Sequence, residues 1–113
     1  MSKFDEKMAI YTTAIKDYHR DAVNVELLSK VAKGLGPSIY NNDSSLVSGT
    51  DQAELDRVKA NFLIKKHGLA DSPKLDEAIK QVASDMGSGN RNKHRAIFYY
   101  LLVKKLGLEK NYA

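Results

Sequence analysis

The sequence contains no cysteine, and its longest apolar run is the short stretch Ala96 to Val103. Without cysteine there is no disulfide framework, no thiolate nucleophile and no thiolate metal site. An apolar run of that length falls far short of the roughly 20 residues that span a bilayer. The opening "MSKFDEKMAIYTTAIKDYHR" interleaves charges with apolar residues and has no unbroken apolar core of a secretion signal. No segment carries the alternating, β-branched pattern of a strand between turns. These absences predict an all-α, cytoplasmic protein that does not enter a membrane.

What is present is ordinary for a folded chain. At 113 residues, 42% hydrophobic and 28% charged, the sequence predicts one domain over residues 1–113 with a real core. The net charge of +4 is modest but uneven. From Gly87 onward the cations Arg91, Lys93, Arg95, Lys104, Lys105 and Lys110 face a single acid, Glu109, while acids slightly outnumber cations before it. That asymmetry points toward an anionic partner.

Apolar spacing predicts five helices. Phe4, Met8, Tyr11, Ile15 and Tyr18 draw a stripe down the first, with Ser2 and Asp5 in capping-box positions. Asn24 caps a second helix carrying Leu27, Leu28 and Val31. A third runs from about Thr50 or Asp51 through Leu55, Val58, Phe62 and Leu63. Ser72 and Pro73 open a fourth, whose stripe is Leu75, Ala78, Ile79, Val82 and Met86. Asn90 or Asn92 caps a fifth, which is apolar on nearly every side and therefore central.

Three helix ends share a pattern of cations, then Gly, then Leu: "VAKGLG", "IKKHGLA" and "VKKLGLE". Gly34, Gly68 and Gly107 are expected in the left-handed conformation, with Leu35, Leu69 and Leu108 folding back on the last turn. Lys33, Lys65, Lys66, Lys104 and Lys105 then face the negative ends of helix dipoles. Between helices two and three, Gly36 to Thr50 form a long connection without a helical stripe. Ile39, Tyr40, Leu46 and Val47 are expected to anchor it as an ordered loop over the bundle. Its Asn41, Asp43 and Ser45 do not make a calcium loop, because Leu46 stands where the turn glycine belongs and Gln52 where a bidentate Glu is needed.

Catalytic signatures are lacking. There is no G-x-S-x-G and no H-E-x-x-H, and His19, His67 and His94 lie on separate segments, so no metal site or cofactor is expected. "GSGNRNKH" departs from a P-loop: Asn92 replaces the second Gly and His94 the hydroxyl residue. The same turn still offers backbone N–H groups, a helix N-terminus and cations. Ser88, Gly89, Asn90, Arg91, Lys93 and Arg95 are accordingly the candidate anion-binding residues. Arg91 and Arg95, one turn apart, could grip a phosphate or carboxylate together. The alternative is that these arginines pair with acids on neighbouring helices. Nucleic acid is possible but not favoured at this net charge, since binding it takes several phosphate contacts. Tyr99 and Tyr100 point to different faces and are expected in the core with bonded hydroxyls.

In "DSSLVSGTDQAELDRVK", "NFLIKKHGL" and "NRNKHRAIFYYLL" the chain resembles the small bacterial proteins of the domain of unknown function 2853 family, over essentially its whole length. The resemblance implies a compact all-helical domain and carries no catalytic residue across. The expected function is a non-catalytic binding or interaction module with an anion-binding turn at the start of the last helix. Its partner would be a ligand or protein bearing phosphate or carboxylate. Two other readings stay open: a small enzyme with its site between the 36–50 loop and the 87–95 turn, and a structural protein that self-associates through an apolar patch.

Overall fold

The computed structural model describes residues 3–15, 24–40, 45–48, 51–87 and 93–112. Among them are five helices around one hydrophobic core, in the order α1 (Lys3–Ile15), α2 (Val25–Leu35), α3 (Gln52–Arg57), α4 (Pro73–Asp85) and α5 (Arg95–Leu106). Short 3-10 turns follow α2 (Gly36–Tyr40) and α5 (Glu109–Tyr112). No described residue belongs to an extended strand.

The apolar stripes become the core. Tyr11 and Ile15 of α1, Leu27, Leu28 and Val31 of α2, and every stripe residue of α4 are buried. Ala96 to Tyr100, with Leu102 and Val103, are buried on α5, which packs against α1, α2 and α4 as the central helix. Each such side chain taken fully from water contributes about 1.5–3 kcal/mol, which explains why the all-round apolar segment becomes the axis of the fold. Tyr18 lies outside the described residues.

The third helix departs from an α pattern. After Arg57 it continues as a π-helical segment, Val58–Lys66. An i to i+5 pitch brings residues five apart onto one face. Phe62 and His67 accordingly meet edge to face at 4.7 Å. This turns His67 toward the C-terminal 3-10 turn, a contact the α-helical expectation did not contain.

The helix ends meet some local expectations and depart from others. Asn24 and Asp51 cap α2 and α3 through their side chains, at 3.0 Å to the N–H groups of Leu27 and Ala53. Ser72 occupies the cap position of α4 but makes no side-chain cap bond. Gly34 is helical, and the positive-φ break falls at Gly36 instead (φ 63°, ψ −144°), outside the left-handed helical region. Proline disfavours helical backbone in the residue before it, so the break moves next to Pro37. At Gly107 (φ 69°) the expectation holds: its N–H and that of Leu108 both return to the Val103 carbonyl, and Leu108 is buried. Helix α5 is capped by His94, later than either asparagine expected, because Lys93 to Arg95 are drawn into backbone pairing with the loop. In that loop Ile39 and Val47 are buried as expected, whereas Tyr40 is exposed and anchors nothing in the core.

Candidate functional site

The connection between α2 and α3 returns to the start of α5 and pairs with it. Val47 N–H donates to the Lys93 carbonyl at 2.8 Å and Arg95 N–H donates to the Ser45 carbonyl at 2.7 Å, framing one antiparallel bridge between Leu46 and His94. Buried backbone groups need partners, and this short ladder supplies them where the loop crosses the core. Ser45–Val47 and Lys93–Arg95 are thereby brought together.

Arg95 is the centre of the junction. Its guanidinium donates to Glu54 at 2.5 Å, to the Tyr99 hydroxyl at 2.9 Å and to the Leu46 carbonyl at 3.3 Å. Glu54 also accepts from Arg57 at 2.8 Å. The Arg95 and Glu54 side chains are only 16% and 13% exposed, so this pair is less screened than a surface bridge. Burial would raise the Glu54 carboxyl, but hydrogen bonds from Arg57 and Arg95 outweigh it and hold its pKa below the ordinary value. Tyr99 stacks on Phe62 at 4.0 Å, which fixes the hydroxyl that Arg95 meets. Tyr100 is bonded as well, its oxygen accepting from the Asn24 N–H at 3.1 Å.

Of the residues singled out from the sequence, Ser88, Gly89, Asn90 and Arg91 lie outside the described residues. Lys93 is only 2% exposed, its carbonyl holding the loop. Arg95 is tied to Glu54 and Tyr99, as in the reading that paired these cations internally. Glu54 gave no sign of this in the sequence, since 41 residues separate the partners. Beside the junction, Tyr11 packs edge to face on His94 at 5.4 Å. Burial, with Lys7 adding, lowers the His94 pKa. The Tyr11 hydroxyl is buried without a hydrogen-bond partner, and that burial, with Tyr40 nearby, pushes its pKa up to about 12. Among the described residues no three His, Cys, Asp or Glu side chains are grouped to hold a metal ion. No described helix is long and apolar enough to cross a membrane.

A second feature stands at the opposite end of α5. There the C-termini of α2, the π-helical segment and α5 come together. The Lys66 ammonium lies 2.6 Å from where a Cβ on Gly34 would sit, and 6.0 Å from the Tyr112 ring centre. His67 joins the segments: its Nε2 is 3.0 Å from the Tyr112 hydroxyl and its Nδ1 is 2.9 Å from the Asn111 amide nitrogen. With Nδ1 accepting from Asn111, Nε2 carries the proton toward Tyr112. Burial, with Lys66 adding, lowers the His67 pKa and favours this neutral form.

Lys33, Lys65, Lys66, Lys104, Lys105 and Lys110 all project from this end and are exposed. No carboxylate of the described residues lies within salt-bridge distance of any of the six. Lys59 shows the contrast, held at 3.1 Å by both Asp71 and Asp76. Glu109 is the acid within the patch, and Lys33 lies over Phe4, which brings Asp5 and Glu6 of α1 to its rim. Each helix C-terminus offers only about half a negative charge, so a positive excess remains. The three Lys–Gly–Leu elements signalled helix ends in the sequence, but nothing local indicated that those ends converge.

A search of curated proteins found no match. A family profile matches residues 10–110, and the chain belongs to that family, described as protein of unknown function (DUF2853).

Proposed function

We propose that the chain is a non-catalytic binding module for an anionic partner, acting in the cytoplasm, with the lysine-rich end as its contact surface. The observation that carries this reading is six exposed, unbridged lysines on three converging helix ends. Like charges held together on a rigid surface raise the local potential and favour a polyanion. A catalytic reading of the loop–turn junction has less behind it: Arg95 and Glu54 are bonded to each other, and Tyr11 keeps its proton to about pH 12.

The test is salt elution from immobilised heparin. Replacing Lys66, Lys104 and Lys105 by Gln should lower the eluting salt well below that of a control with Lys7, Lys74 and Lys80 replaced. Equal shifts in the two variants would reduce the effect to net charge and defeat the reading.

Residues 88–95 carry a second, smaller proposal as a phosphate or carboxylate contact, because His94 caps α5 without a side-chain hydrogen bond. Titrating inorganic phosphate while recording amide NMR shifts tests it. Changes confined to residues 88–95 support the contact, and no change there removes it.

A further inference from the structure

Resting on the reading of the lysine-rich end as an anion-binding surface, we infer that its partner is duplex nucleic acid, held by the phosphate backbone without sequence preference. Protein interfaces have apolar or aromatic centres and are depleted in lysine. At this end the apolar neighbours Leu35, Ile64, Leu69 and Leu106 are packed against the core, and the exposed large hydrophobic residues among those described, Ile10, Val25 and Tyr40, do not supply such a centre. Val25 begins α2, roughly 15 Å along the helix from its lysine-bearing end, while Ile10 and Tyr40 accompany Tyr11 at the His94 end of α5. A membrane surface is disfavoured for the same reason, since peripheral helices pair their basic face with apolar side chains that enter the lipid.

The aromatic rings beside the lysines separate duplex from single strand. Single-stranded binders stack bases on open rings. Tyr112 is bonded through its hydroxyl to His67, whose ring lies 5.5 Å away, and Lys66 lies over its ring. Phe4 has Lys33 over its face and packs against the core. Neither ring presents a stacking platform.

Base readout is disfavoured as well. It is strongest from the planar forks of arginine, asparagine and glutamine, whereas lysine meets guanine as a flexible point charge. The described arginines, Arg57 and Arg95, are both engaged by Glu54, away from this end. What remains is a set of flexible point charges, which suits phosphates and carries no sequence information. Their bases are rigid: Gly68 (φ 68°) and Gly107 (φ 69°) close two of the helix ends, and His67 ties those ends together through Asn111 and Tyr112.

The experiment measures fluorescence anisotropy of two labelled 20-base-pair duplexes of unrelated sequence, over a salt series, with the full chain. Four to six lysine contacts predict log K falling against log salt with a slope of about −3.5 to −5.5. Replacing Lys65, Lys66, Lys104 and Lys105 by Gln should bring that slope to about −2 or shallower and weaken low-salt binding by about a hundredfold, with an unchanged circular dichroism spectrum. The two duplexes should bind within about threefold of each other. Heparin, polyglutamate, phosphatidylserine vesicles and a single-stranded 20-mer form parallel arms. Lysine-dependent binding of heparin, polyglutamate or vesicles without duplex binding would overturn the inference and leave the anion-binding reading standing. Tighter binding of the single strand, or a tenfold preference between duplexes, would also overturn it. No lysine-dependent binding in any arm would overturn both.

Discussion

Arg95 at the start of α5 holds Glu54 of α3 in a largely buried pair, and the same guanidinium holds the Tyr99 hydroxyl and the Leu46 carbonyl. One side chain thus joins the central helix, the third helix and the returning loop. This relationship answers why a cation stands in the first turn of a helix, where the dipole disfavours it. The carboxylate it needs comes from another element.

Removing Glu54 should therefore do more than remove a surface charge. Glu54→Ala is expected to destabilise the fold by about 2–3 kcal/mol, because it leaves Arg95 partly buried without its carboxylate. The pair also makes stability acid-sensitive. The Glu54 pKa is depressed in the fold, so its contribution is present above the unfolded value near 4.5 and is lost as pH falls through the folded value. Urea denaturation between pH 6 and pH 3 should show a shallower loss in Glu54→Gln than in the wild type. An equal loss would place the acid sensitivity elsewhere.

Tyr11 and Tyr100 should respond oppositely to loss of the hydroxyl. The Tyr11 oxygen is buried without a partner, so Tyr11→Phe should gain about 1 kcal/mol and raise Tm by about 3–6 °C. Tyr100→Phe removes the acceptor of the Asn24 N–H and should cost about 1 kcal/mol. Calorimetry of the two variants checks the split in sign.

The two described histidines predict a neutral-to-acid dependence. Burial lowers both His67 and His94, helped by Lys66 and Lys7 respectively. A base with a depressed folded pKa contributes stability that is present above its unfolded value, near 6.5, and lost as pH falls through the folded value. Chemical denaturation should show stability declining from about pH 6.5 downward. The decline should be clearly reduced in a His67→Gln, His94→Gln variant. Imidazole proton shifts give the two values directly, and titration of both rings at or above 6.5 would contradict the burial argument.

Gly34 and Gly107 look alike in the sequence and should behave differently. Gly107 is left-handed, so Gly107→Ala should cost about 1–2 kcal/mol. Gly34 is helical, and a methyl there meets only the flexible end of Lys66. Gly34→Ala should therefore be neutral or stabilise by up to about 1 kcal/mol through helix propensity. Thermal melts of both variants decide it.

Helix positions, the central place of α5 and most of the core were legible in the sequence, because apolar periodicity and capping are local properties. Asn24 could be read as a cap and Leu108 as a residue folding back, since each depends on neighbours a few positions away. The break at Gly36 is local too, set by the proline after it, although Gly34 shares the Lys–Gly–Leu pattern of the other helix ends. What only the tertiary structure decided is long-range. The π pitch that turns His67 toward Tyr112, the bridge between Leu46 and His94 and the pairing of Arg95 with Glu54 all join residues whose local signals are independent. The same holds for the lysines. Each was placed by its own helix end, as the sequence determined, but the convergence of those ends follows from how three helices pack, and packing is a property of the whole core.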